Sequence, residues 1–276
     1  MLDPDARLGQ TGCMNHSSPS IVQFGAGNIG RSLVGQLFSR AGYEVVFVDA
    51  VPAIVDALNA RGRYQIRVKD TRAHALPETI WVEHVRGLHA SDTEGIARAV
   101  GQADLIGTAV GAAALPRIFP AMAAGLLGRE EPVSILLCEN LRGASDLARE
   151  ALARLLPAGF DLAGRVGLVE TSIGKMVPLM PREVRELDPL EVWAEAYNQI
   201  VADREGFVGP PPAVDGLVLK DRFGAYMDRK LFIHNLGHAA AGYHGFLAGK
   251  TYVWQCMDDP DLRADTRGAM EEAAQA

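Results

Sequence analysis

The chain has 276 residues, 48% of them hydrophobic, which sets a soft expectation of about two domains and enough apolar surface for a sizeable core. Its 27 Lys plus Arg against 34 Asp plus Glu leave a net charge of −7, which argues against a general nucleic-acid or acidic-membrane binder; small anionic ligands stay compatible, because local sites ignore net charge. Cys13, Cys138 and Cys256 lie far apart with no CxxC or Cys/His spacing, so neither a disulfide framework nor a zinc site is expected, and a reducing cytoplasm fits best.

Residues 1–20, "MLDPDARLGQTGCMNHSSPS", lack the basic start and apolar stretch of a secretory signal and are expected to form a polar, disordered tail. From Ile21 onward, short β-branched runs alternate with helical patterns. Strands are expected at "IVQF" (21–24), "EVVFVD" (44–49), "ADLIGTAV" (103–110) and "VSILLCE" (133–139), apolar enough for burial on both faces. Between and after them, "NIGRSLVGQLFSRAG", "VPAIVDALNARG", "SDTEGIARAVGQ" and "LRGASDLAREALARLL" carry apolar residues at helical spacing, with Gly or Ser/Asp at several ends. This alternation predicts an α/β fold with a parallel, doubly wound sheet. The apolar run at 109–128 is broken by Pro116, Arg117 and Pro120, short of the roughly 20 uninterrupted residues of a membrane span, and reads as strand end, loop and buried helix. "PLEVWAEAYNQIVAD" at 189–203 looks like additional strand, "GPPPAVDG" at 209–216 marks a rigid turn or linker, and the remainder is mostly helical.

At 24–31, "FGAGNIGR" places Gly25, Gly27 and Gly30 as GxGxxG between an apolar strand and a periodic helix, and Asp49 ends the next strand nineteen positions after Gly30. In that context Gly25 permits the turn, Gly27 lets a pyrophosphate approach the backbone, and Gly30 allows close helix packing. The turn as a whole, Phe24, Gly25, Ala26, Gly27, Asn28, Ile29, Gly30 and Arg31, is the expected dinucleotide-binding segment, with phosphates at the helix N-terminus. Arg31 has two readings, a charge near the pyrophosphate or an exposed helix arginine. Asp49 suits the ribose hydroxyls and repels a 2′-phosphate, which favours NAD over NADP, and the nearest downstream basic residue, Arg61, is too far along to relieve that repulsion.

The loops after the fourth and fifth strands, "TAVGAAAL" (108–115) and "CENLRG" (138–143), are expected at the carboxyl edge of the sheet. The first brings Val110 and Gly111 to the nicotinamide side of a cofactor. The second presents Glu139 and Asn140 at the mouth, with a helix N-cap as the alternative role of Asn140. Further on, "KLFIHNLGH" (230–238) reads as a helix. At about 100° per residue Lys230, His234, His238 and Asn235 fall within 140°, and Phe232, Ile233, Leu236, Ala239, Ala240, Tyr243 and Leu247 form an opposite, apolar face. A face of His and Asn with neighbouring glycines is a poor solvated surface. It suits a cavity wall facing a polyhydroxylated ligand, or a polar contact with another domain.

The segments "FGAGNIGR", "DALNARGRYQIRV" (56–68), "TAVG" (108–111), "CEN" (138–140) and "RKLFIHNLGHA" (229–239) resemble the polyol-specific long-chain dehydrogenases, nearly from Ile21 to the end of the chain. The resemblance implies a Rossmann-type sheet followed by a mostly helical domain, NAD as cofactor, and interconversion of a sugar-alcohol phosphate with a ketose phosphate. It implies that Lys230 is the general acid/base, that Asn140 and Asn235 hold the reacting oxygen, that His238 contacts substrate, and that no metal takes part. It carries no role onto His234, which reads as a packed or exposed histidine. The residue types agree: a lysine with its pKa lowered by burial accepts the alcohol proton as hydride leaves, and two carboxamides donate N–H groups to the developing alkoxide.

The expected division is a tail over 1–20, a dinucleotide-binding domain over 21–200 and a partial helical substrate domain over 201–276. The partner is a small-molecule polyol phosphate, not nucleic acid or membrane, and a monomer is expected. Two departures from the family stand out. Gly174 and Lys175 in "TSIGKMVP" occupy the place of an Asp-Arg pair, and relatives usually continue through a larger helical domain, so the helical part is expected to be short. An unphosphorylated polyol or a hexuronate as substrate, or a noncatalytic NAD-binding remnant, are the alternatives.

Overall fold

The computed structural model describes residues 18–69, 79–178 and 180–275, so the expected tail lies almost wholly outside the described residues. The first elements are β1 Ser20–Phe24, a helix whose π-helical stretch Gly30–Gly35 runs into α1 Gln36–Arg40, β2 Glu44–Asp49, α2 Pro52–Arg61, β3 Arg63–Val68, β4 Thr79–Glu83, β5 Val85–His89 and α3 Thr93–Gln102. There follow β6 Leu105–Thr108, α4 Leu115–Leu127, β7 Val133–Leu137, α5 Ala144–Leu155, α6 Leu162–Arg165, β8 Val166–Ile173, α7 Arg182–Leu187, β9 Val192–Ala194, β10 Ile200–Asp203 and β11 Leu217–Lys220. Beyond these the chain is helical: α8 Phe223–Arg229, a π-helical turn Lys230–His234, α9 Asn235–Leu247, α10 Val253–Asp258 and α11 Pro260–Gln275. No helix among the described residues is long and apolar enough to cross a membrane.

The large sheet has eight strands in the order β11-β10-β8-β7-β6-β1-β2-β5, and β3 pairs with β4 and β9 in a separate three-stranded sheet. From β8 to β5 all neighbours are parallel. The doubly wound expectation is therefore met, and its physical signature is in the strands themselves. In β1 and β2, Ile21, Val45 and Phe47 join one apolar cluster while Val22, Val46 and Val48 join the other, the period-two alternation of a strand buried on both faces. The first cluster includes Leu33, Leu37 and Phe38 of the glycine-turn helix, and the second includes residues of α3, α4 and α5.

The expected boundary at 201 falls inside this sheet. β10 pairs antiparallel with the free edge of β8, and β11 adds in parallel to β10, so the sheet runs to Lys220 and the helical part begins at Phe223. "GPPPAVDG" is the connection between β10 and β11 rather than a linker between domains; its Val214 is buried, and Gly216 at φ +94° leaves no room for a Cβ beside Asn198 O. Parallel pairing brings the carboxyl ends of β2, β1, β6, β7 and β8 to one edge, where ligands bind in such sheets.

Candidate active site

The glycine turn matches its physical reading. Gly25 has φ +93°, and a Cβ there would lie 2.4 Å from Ala109 O; a Cβ on Gly30 would lie 2.0 Å from Gly25 O. Both positions are closed to any larger residue. Gly27 differs, because a Cβ there would meet nothing within 4 Å. Its smallness serves no packing need, which is what a backbone kept bare for a ligand requires. Asp49 at the end of β2 accepts from Ala26 N at 2.7 Å and Val51 N at 2.9 Å, so its carboxylate braces the turn and keeps further lone pairs for a ligand. Arg31 is neither exposed nor at the surface of the turn. It is buried, donates from Nη1 to Pro189 O at 2.7 Å, and its backbone O accepts from Tyr64 Oη at 2.7 Å, so the exposed-helix reading is corrected: the guanidinium ties the helix to the segment before β9.

The loops after β6 and β7, the sixth and seventh strands in chain order, are joined by Glu139. Its buried carboxylate accepts from Val110 N at 2.9 Å and Gly111 N at 2.8 Å. Glu139 therefore does not sit at the mouth as expected; it fixes the Val110–Gly111 loop and occupies both amides, leaving that loop to meet a ligand through its other atoms. Asn140 is exposed, and α5 begins at an N-cap of Gly143, which sets the capping role of Asn140 aside.

Lys230 Nζ lies 3.2 Å from Asn140 Oδ1, bridging the helical part to the loop after β7. Lys230, Asn140, Asn235, His238 and Ile29 of the glycine-turn segment line one cavity of about 270 Å³, and a larger cleft of about 620 Å³ shares Gly174, Met176, Lys230, His234 and His238 with it. The proposed base thus faces the side on which the glycine turn lies. Burial holds the Lys230 amine below the usual ammonium value. Because Asn140 accepts with Oδ1, its Nδ2 is left to donate into the cavity. His234 packs its ring edge against His238 at 4.7 Å, and burial first, then the charge of His238 and Lys230, holds it low; it is a cavity wall rather than an isolated surface residue.

Of the apolar face expected on this helix only part is buried. Phe232 is 56% exposed and Tyr243 74%, whereas Gly237, Ala240, Ala241 and Gly245 are buried. Two physical reasons account for the difference. The π-helical turn at 230–234 breaks the 100° spacing, and the small residues allow close approach of other helices: a Cβ on Gly237 would lie 2.6 Å from Met270 Sδ, and one on Gly245 2.2 Å from Cys256 Sγ.

Lys175, just past β8, was noted in sequence only as a departure. It is 7% exposed, lines the same 270 Å³ cavity, and its Nζ donates to Asn198 Oδ1 at 3.3 Å. The signal for it was its position at the carboxyl end of a parallel strand. Cys138 also lines this cavity, but burial pushes its thiol up to about 12, so it holds no thiolate near neutral pH.

Residues 19–216 match the mannitol dehydrogenase Rossmann domain and residues 223–276 the mannitol dehydrogenase C-terminal domain. The chain belongs to the mannitol dehydrogenase family. Within that family it is 37% identical over 257 residues to mannitol-1-phosphate 5-dehydrogenase of Brevibacillus brevis, a match covering 91% of this chain and 64% of the relative. The chain thus spans less than two thirds of that relative's length. Solved structures share the fold at low identity: a ketopantoate reductase from Ralstonia eutropha JMP134 (TM-score 0.56, 17% identity, 93% of this chain and 73% of that one) and an octopine dehydrogenase with NADH and pyruvate (TM-score 0.58, 16% identity, 83% and 56%). Lys230, Asn235 and His238 fall within the part that matches the C-terminal domain, and they line one cavity with Ile29 of the glycine-turn segment.

Proposed function

We propose that this protein is an NAD-dependent polyol dehydrogenase that interconverts mannitol 1-phosphate and fructose 6-phosphate. The observation that carries the reading is the cavity shared by Ile29 of the glycine-turn segment and by Lys230, Asn140, Asn235 and His238. The relative named above and the family pattern support the substrate class.

The residues present fit a nicotinamide dinucleotide. Gly27 is bare toward open space, the first amides of the following helix lack intrahelical partners, and Asp49 stands at the end of β2 for ribose hydroxyls. Asp49 also disfavours a 2′-phosphate, and the basic residue that follows, Arg61, pairs with Asp188 at 2.7 Å instead. The bound cofactor supplies the acceptor for the two electrons that leave the carbinol C–H as hydride.

The chain's own groups handle the proton and the oxygen. Uncharged Lys230 takes the hydroxyl proton onto Nζ, a transfer made feasible near neutral pH by the burial that lowers its pKa. Asn140 Nδ2 and the Asn235 carboxamide donate to the oxygen as negative charge gathers on it, with no proton transfer of their own; one such donor is worth about 2.7–4 kcal/mol. In the reverse direction Lys230 returns the proton to the ketose oxygen. His238 fixes a neighbouring hydroxyl from the next turns of the same helix.

A substrate panel tests the reading. Purified protein with NAD or NADP is offered mannitol 1-phosphate, mannitol and a hexuronate-derived alcohol, and nicotinamide absorbance is followed. Reduction of NAD by mannitol 1-phosphate is expected; NADH binding without turnover of any alcohol would instead identify a noncatalytic binding protein.

A further inference from the structure

Resting on the reading above, we propose that Lys175 is the specificity-determining cation of the site and binds the anionic group of the substrate, phosphate or carboxylate, while Lys230 handles its carbinol. The residue lies where β8 leaves the carboxyl edge of the sheet and is 7% exposed, yet among the described residues its Nζ has one hydrogen-bond partner, Asn198 Oδ1 at 3.3 Å, and no ion-pair partner within 4 Å; the neighbouring Glu195 carboxylate is engaged instead by Met176 N at 2.6 Å. An ammonium carries three donors, so two are unspent inside a cavity that Lys230, Asn140 and His238 also line.

A buried cation without a counter-charge is costly, and the cost falls when an anion enters beside it. Burial pushes this amine down to about 8, with Glu195 opposing from farther away, so a substantial cationic fraction remains near neutral pH. A neutral hydroxyl would satisfy the unspent donors but leave the charge uncompensated. The dinucleotide's own pyrophosphate is not the partner. It is assigned to the free amides of the turn after β1, and β8 lies three strands away across β7 and β6, although the Ile29 side chain reaches the same cavity. The ligand group that fits is therefore the anionic end of a polyol phosphate or of a sugar acid, extended along the edge from the reacting carbon.

The test is competitive acetylation with acetic anhydride on NADH-loaded protein, read by mass spectrometry at Lys175 and Lys230. Mannitol 1-phosphate is expected to slow acetylation of both lysines at least about tenfold, mannitol only that of Lys230, and fructuronate to place the sugar acids with one or the other. In parallel, Lys175→Met should weaken mannitol 1-phosphate binding at least about tenfold and leave mannitol affinity unchanged, with Lys175→Arg retaining much of the preference. Protection of Lys230 alone by the phosphate, or equal loss of both polyols in Lys175→Met, overturns the inference and leaves the dehydrogenase reading standing. Protection of neither lysine by any of the three compounds sinks both.

Discussion

Lys230 and Asn140, ninety positions apart, meet at 3.2 Å through Nζ and Oδ1. The contact joins the helical part to the loop that follows β7, and with Oδ1 engaged the Nδ2 end of the carboxamide is left for a substrate. If Asn140 donates to the developing alkoxide, Asn140→Ala should lower kcat about 10²–10³-fold while the NADH dissociation constant, measured by fluorescence titration, stays close to that of the unmodified protein. A change confined to KM would assign the residue to ground-state binding instead.

The two glycines Gly27 and Gly30 should respond oppositely to enlargement. Gly30→Ala places a Cβ 2.0 Å from Gly25 O and should destabilise the fold by about 1–3 kcal/mol in denaturant titration, through overpacking. In Gly27→Val the added Cβ meets no protein atom within 4 Å, so the melting transition should barely move while NADH binding weakens severely. Normal NADH affinity in Gly27→Val would remove this turn from the cofactor site.

Glu139 holds two backbone amides, those of Val110 and Gly111, on one carboxylate. Glu139→Ala removes the buried acceptor of two part-buried donors, the Gly111 amide being open to water, and should cost on the order of 1–3 kcal/mol in chemical denaturation. Glu139→Gln keeps one acceptor and should fall between, since an amide oxygen can serve only part of that pair.

Lys175 makes stability depend on pH in a stated direction. Burial lowers its folded pKa to about 8, against about 10.4 for a lysine in the unfolded chain. Between those values the unfolded chain binds the extra proton, so stability rises with pH across the window from about 8 to about 10.4, and the burial cost is fully felt below it. The rise should approach 2–3 kcal/mol at most and be absent from Lys175→Met, when the two proteins are compared by denaturant unfolding at both ends of that window. Equal slopes in the two proteins would show that the amine is not buried in solution.

Much of the sheet was legible because its central strands are apolar on both faces. Phe47 and Val48 point to opposite clusters, and no polar residue interrupts "EVVFVD" before Asp49. β5, "VRGLH", was not, since it is short, half polar and contains Gly87, whose Cβ would lie 3.0 Å from Val55 Cα; the glycine is there for a helix to approach, not for strand propensity. β10 lies within the 189–203 stretch that reads as strand, whereas the edge strand β11 escaped for a related reason: its four residues carry too little pattern to be told from the helical part that follows. At the site, Lys230, Asn235 and His238 were singled out by family resemblance and line one cavity, and Gly27 was singled out by its motif. Glu139 was misplaced and the exposed reading of Arg31 failed, because sequence shows that a charge lies near a loop but not whether it turns inward to meet backbone groups. The buried face of the Lys230 helix was misread because regular spacing does not anticipate a π-helical turn, nor glycines that invite Met270 and Cys256 against them.

The account rests most heavily on Lys230 as the group that takes the alcohol proton. The direct measurement is turnover of mannitol 1-phosphate with NAD by Lys230→Met, beside an NADH titration of the same preparation. Loss of about 10²–10⁴-fold in kcat with NADH binding intact is the expected result. A variant that turns over within a few fold of the unmodified protein would contradict it.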